Sequence, residues 1–160
     1  MSKVNLHIKG TAYMTLVRSV LLHGAAAWTT TTVDEQMLEA WDAANLRYIL
    51  RVSRTQHIRT TEIRARLNVS TSVNQEVSKA RLRMLMKVAR AGRIGSLYDS
   101  VYLRKLIEAN EGAKHIRKGR PMKSWLQCVK ADLGTHHYGL ASGMHLAREH
   151  ATRYRQLFLD

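Results

Sequence analysis

The chain has 160 residues, enough for one domain or two small ones with a real core. Its 26 Lys+Arg against 12 Asp+Glu leave a net charge of +14, which points to a polyanionic partner, most often nucleic acid. Cys128, the one cysteine, excludes an internal disulfide or a cysteine-rich zinc site and fits a reducing intracellular compartment, and the longest apolar run, Val20–Trp28, is broken by His23 and Gly24 and is too short to span a bilayer.

The charge is unevenly placed. Residues 1–50 carry four basic and four acidic groups, residues 51–100 eleven against three, and residues 101–160 eleven against five. A single proline, abundant Ala, Leu, Met and Arg, and repeated capping signals predict an all-α fold, a bundle of five to seven helices. It reads as one domain over 1–160, divisible at the connector Ser53–Thr61 into a helical pair, 1–53, and a basic helical region, 61–160.

The first helix is expected over Ile8–Trp28, with Tyr13, Leu16, Val17, Val20, Leu21 and Trp28 on its apolar face. Thr29–Thr32 breaks it, and Thr32 with Glu35 has the form of a capping box. The second helix runs to about Arg51. Met37, Leu38, Trp41, Ala44, Tyr48 and Ile49 line its inner side, and Glu35, Glu39 and Asp42 lie outside as a solvated acidic face. A short helix over Thr61–Leu67 follows.

The next helix, Ser72–Ala91, carries the clearest electrostatic signal. At about 100° per residue, Lys79, Arg83, Lys87, Arg90 and Arg93 share an arc of about 120°. Val73, Val77, Met84, Leu85 and Val88 take the opposite side, and Arg81 falls in its middle, where it must find a carboxylate or carbonyl partner or mark a contact surface. The arc makes a phosphate rail. A fifth helix is expected over Ser96–Asn110.

After it comes a basic loop with Lys114, Arg117, Lys118 and Arg120, which leads to Pro121 in the first turn of a further helix. Met122, Trp125, Val129 and Leu133 fall on one face of that helix and Lys123, Gln127 and Lys130 on the other. A cationic loop beside a helix N-terminus offers free N–H groups to phosphates. A Gly/His-rich link, Gly134–Gly143, precedes a last helix over Met144–Leu159.

Three blocks together resemble the C-terminal part of reverse transcriptases from non-LTR (LINE-type) retrotransposons, the thumb and the helical region after it. They are TLVRSVLLHGAAAW (15–28) with LEAWDAANLRYILRVS (38–53); HIRTTEIRARLNV (57–69) with VSKARLRMLMKVAR (77–90); and GRPMKSWLQCVKADL (119–133) with AREHATRYRQL (147–157). Their order and spacing cover nearly the whole chain. His23 and Ala26 stand where the family has Tyr and Glu, and Met84 to Lys87 replace Trp-Leu-Gly-His. The catalytic palm is not among the blocks, and the sequence has no Asp-Asp pair to hold the two metals of polymerisation.

The resemblance therefore implies a nucleic-acid-handling region without catalysis. Because thumb helices contact the template–primer backbone, it supports phosphate binding by Lys79, Arg83, Lys87 and Arg90, and a role for Arg117, Lys118 and Arg120. The expected function is a non-catalytic RNA-binding subunit of a ribonucleoprotein such as a ribosome or mitoribosome, in contact with its other proteins and with no membrane. The alternatives are a module of a split reverse transcriptase and a basic protein-interaction scaffold. An acid-poor start with Lys3, Lys9 and Arg18 has a faint transit-peptide character, and neither mitochondrion nor nucleus is singled out.

Other chemistry is not expected. His136 and His137 diverge on a helix and read against a metal site, His23 and His57 read as structural, and no nucleophile arrangement surrounds Ser124 or Cys128. No cofactor is implied. Trp28, Trp41 and Trp125 are expected in the core, and Tyr138 is the better candidate for base stacking.

Overall fold

In a computed structural model of the chain, which describes residues 5–91 and 123–159, every regular element is a helix. The described residues gather into two compact units, one of residues 5–24 and 31–77, the other of 25–30 with 78–91 and 123–159. The connector 53–61 thus joins elements of one unit.

The first unit begins with α1 (Leu6–Ala12), started by the Asn5 side chain accepting the His7 N–H. Tyr13–Arg18 are π-helical, and α2 (Ser19–Leu21) is a single remaining turn. On a regular α-helix Tyr13 and Arg18 would lie about 140° apart. The wider π turn sets both inside, 2% and 1% exposed. The expected apolar face is accordingly lost: Leu16, Val17 and Val20 are exposed, and the helix stops well before Trp28, with Gly24 in the left-handed region at φ +72°. Gly10 lies so close to α4 (Thr60–Leu67) that a Cβ there would sit 1.9 Å from the Leu67 carbonyl oxygen.

The capping box of α3 (Thr32–Leu50) uses Thr31 and Asp34, one residue earlier than expected: Thr31 N–H donates to Asp34 Oδ2 at 2.8 Å, and Asp34 N–H to Thr31 Oγ1 at 3.3 Å. The inner side of α3 is also different. Asp42 and Leu46 are fully buried, whereas Met37, Trp41 and Tyr48 are exposed. Asp42 wins the interior because its carboxylate is saturated with donors. Tyr13 Oη donates to Oδ1 at 2.6 Å, Arg18 Nε to Oδ1 at 2.9 Å and Nη2 to Oδ2 at 2.8 Å, and Arg64 Nη2 to Oδ2 at 2.9 Å. Arg18 Nη1 also donates to Thr71 O, and Arg64 Nη2 to Glu39 Oε2 at 2.6 Å. Around this network Tyr13, Leu46, Ile63, Leu67 and Val69 form the apolar core.

Burial pulls the Asp42 carboxyl upward, but hydrogen bonds from Arg18, Tyr13 and Arg64 outweigh it and hold its pKa below the ordinary 3.8. At Glu39 burial is likewise outweighed by Arg64 and the Asn74 N–H, and its pKa falls. Burial, reinforced by the Asp42 charge, pushes the Tyr13 phenol up, so it remains a donor.

In the second unit, α5 (Val73–Ala91, the unit taking it from Ser78 on), α6 (Trp125–Gly134), α7 (Leu140–Glu149) and α8 (Ala151–Phe158) enclose Leu82, Leu85, Met86, Ala89, Val129, Leu133, Leu146, Tyr154 and Phe158. The cap of α6 is Ser124, in a capping box with Gln127. The helix therefore starts at Trp125 rather than at Pro121, which lies outside the described residues. The expected last helix is two, parted at His150, with φ −129° and ψ 60°. The break lets Leu146 and Ala147 of one, and Tyr154 and Phe158 of the other, enter one core. The predicted helix 96–110 lies outside the described residues.

Arg81 meets the carboxylate that its position demands. Nε donates to Asp132 Oδ2 at 2.7 Å and Nη2 to Oδ1 at 2.9 Å, while Nη1 donates to Thr30 Oγ1 at 3.0 Å. Trp125 Nε1 donates to Ala26 O at 2.7 Å, and Tyr154 Oη to Leu82 O at 3.0 Å.

Asp42→Ala leaves the Arg18 guanidinium buried without its counter-charge and should lower the unfolding free energy by about 3–5 kcal/mol in urea titration. The acid response follows in sign. Because the folded pKa values of Asp42 and Glu39 are depressed, their contribution is complete above the unfolded values, near pH 4, and is lost as pH falls through the folded ones. The melting temperature should hold steady down to about pH 5 and drop below about pH 4, and Asp42→Asn should flatten that acid limb.

Candidate nucleic-acid interface

Helix α5 is buried around most of its circumference. Leu82, Leu85, Met86 and Ala89 face the core of the second unit, and Arg81, Val88 and Val77 are also buried. The inward sector is thus broader than the sequence pattern suggests, and Met84, expected inside, is only half-buried. The remaining strip of about 80° carries Lys79, Arg83, Lys87 and Arg90 at positions i, i+4, i+8 and i+11. Arg83, Lys87 and Arg90 are exposed, and Lys79 is half-buried. Over eleven residues the strip is about 16 Å long. Glu76, half-buried at the start of the strip, is the one carboxylate in α5, placed where the helix dipole favours it.

Of the other expected phosphate ligands, Lys123 is half-buried immediately before the cap of α6. Arg93, Lys114, Arg117, Lys118 and Arg120 lie outside the described residues. The periodicity of α3 gives no weight to Lys9, Arg47, Arg51 and Arg54, which the first unit gathers at the end of that helix. Three of these fall within eight positions of sequence, a signal that is available. The addition of Lys9 depends on the tertiary fold.

Two of the tryptophans depart from expectation and one does not: Trp41 is 40% exposed and Trp28 is half-buried, whereas Trp125, also half-buried, packs against the core of the second unit as expected. Tyr138, expected to be available for stacking, instead packs edge-on against Phe158 with ring centroids 5.3 Å apart. His23 and His57 are exposed rather than structural, and His57 has a left-handed backbone at φ 49°. Cys128 is buried, its thiol against the Thr30 carbonyl.

Among the described residues no three His, Cys, Asp or Glu side chains converge as metal ligands, and no helix is long and apolar enough to cross a membrane. The chain matches no protein-family model, no curated protein and no solved structure.

The strip is separate from the core, so it can be altered without unfolding the unit. The triple substitution Arg83→Glu, Lys87→Glu, Arg90→Glu should shift the melting temperature by no more than about 4 °C by circular dichroism, as exposed surface changes do.

Proposed function

We propose that the chain is a non-catalytic RNA-binding protein, a structural or accessory subunit of a ribonucleoprotein, with the likeness to a reverse-transcriptase thumb reflecting its origin. The observation that carries this reading is the cationic strip of α5, in which Arg83, Lys87 and Arg90 stand exposed on one side of a helix otherwise committed to the core. The excess of 14 positive charges surrounds it with a field that attracts a polyanion. Lysine and arginine at helical spacing meet phosphates rather than base edges, so binding should be sensitive to salt and weakly selective for sequence. A folded RNA fits this chemistry, since duplex RNA is recognised by shape and backbone more than by sequence.

The test is fluorescence anisotropy with a labelled RNA stem-loop across a salt series. The triple substitution at Arg83, Lys87 and Arg90 should weaken binding at least tenfold. It should also flatten the slope of log affinity against log salt by roughly 0.7–0.9 for each phosphate no longer neutralised, or about 2 to 3 in all. Unchanged affinity and slope would refute the reading. Native purification with and without nuclease separates it from a protein scaffold, whose partners would survive digestion.

A further inference from the structure

The first unit holds a second cationic feature, independent of α5. At the C-terminal end of α3 an open hollow of about 670 Å³ is lined by Lys9, Arg47, Tyr48, Arg51, Val52 and Ser53. Arg47 also lines an adjoining hollow of about 390 Å³, together with Arg54 and His57. No carboxylate lines either hollow. Among the described residues, ion pairs engage Arg18, Arg64, Arg66 and Arg81, but none engages Lys9, Arg47, Arg51 or Arg54.

Cations at a helix C-terminus commonly serve its dipole. Here part of that need is met by backbone donors: Arg51 N–H donates to the Tyr48 and Arg47 carbonyls, and Val52 N–H to that of Arg47. The left-handed cap at Arg51, φ 55°, reverses the chain and exposes its side chain. Arg47 lines both hollows and is tied to the fold by its Nη2, which donates to Ile58 O at 2.5 Å. Beside these cations stands Tyr48, 84% exposed. An aromatic face next to a cluster of positive charge is the pairing that holds a base and its phosphate together.

We infer that this hollow binds a nucleoside phosphate, with the phosphate on Lys9, Arg47 and Arg51 and the base stacked on Tyr48. The volume lies in the range of small-ligand sites. The lining offers stacking and charge and no ordered set of base-edge partners, so every base should be accepted. The nucleotide can be free or part of a strand; both present the same chemistry. The inference does not depend on the α5 strip.

The experiment uses the full chain, with isothermal titration of uridine monophosphate, inorganic phosphate and a hexamer of oligouridine. The variants are Tyr48→Ala, Arg51→Asn, which keeps a residue tolerant of the left-handed backbone, and the α5 triple substitution. Both single changes are at exposed positions and should leave the fold intact, checked by circular dichroism. Tyr48→Ala should weaken the nucleotide probes about tenfold, in line with the loss of one stacked base, and leave phosphate binding unchanged. Arg51→Asn should weaken all three probes, and the α5 substitution should leave binding of uridine monophosphate within twofold. Binding of the hexamer alone would identify a strand as the source, and binding of both would admit a free nucleotide; either supports the site. No binding of either nucleotide probe, nucleotide affinity indifferent to Tyr48→Ala and Arg51→Asn, or nucleotide binding no tighter than that of phosphate would overturn it. Nucleotide binding lost only in the α5 variant would overturn the hollow while leaving the RNA-binding reading standing.

Discussion

The first unit is organised around one carboxylate. Asp42 is fully enclosed and receives hydrogen bonds from Tyr13, Arg18 and Arg64, so side chains from the π-helical segment, α3 and α4 converge on a single pair of oxygens. Desolvating this group is costly, and the attraction of Arg18 offsets that cost only because every lone pair has a donor. The geometry explains several features at once. Arg18 reaches the site because the backbone widens into a π turn, and α3 turns Asp42 inward at the expense of Met37, Trp41 and Tyr48, which stay in water. Gly10 allows α1 to approach the backbone of Leu67, in the same helix that supplies Arg64.

The second unit repeats the device with different parts. Arg81 spans Asp132 with two donors and hands a third to Thr30. Arg18 and Arg81 are thus taken inside, each matched by an acid, while Arg83, Lys87 and Arg90 stay outside. The distinction matters for function, because only the outer ones present charge to a partner. On α5 the two kinds sit within one helix: Arg81 is 3% exposed, and Arg83 stands in solvent two residues on.

Much of this was legible in the sequence, and the failures share a cause. The all-α class, the helix of α5, the basic strip and the need of Arg81 for a partner follow from periodicity and composition, which act locally. The inner face of α3 did not, since counting apolar residues places Met37 and Tyr48 inside and Asp42 outside. A buried carboxylate with three donors from other elements reverses that order, and no local pattern reports donors 24 and 29 residues away. The π turn escaped for the same reason, as its register is imposed by where Tyr13 and Arg18 must end. The helix start at Trp125 was visible in Ser124 and Gln127, but the proline three positions before Ser124 is the more familiar signal and drew the boundary too far forward.

Residues 25–30 belong by sequence between two stretches of the first unit, yet they supply Ala26 and Thr30 to the second. The bond from Trp125 to Ala26 joins positions 99 apart. During synthesis the second unit therefore cannot close until the residues through Trp125 have emerged, and the long loop it must close makes this a slow step by contact order. Cutting between Val77 and Ser78 would not release two independent halves either, because the stretch of chain that Arg81 and Trp125 hold would leave with the wrong piece. Each unit is compact in space, and the two are interleaved along the chain.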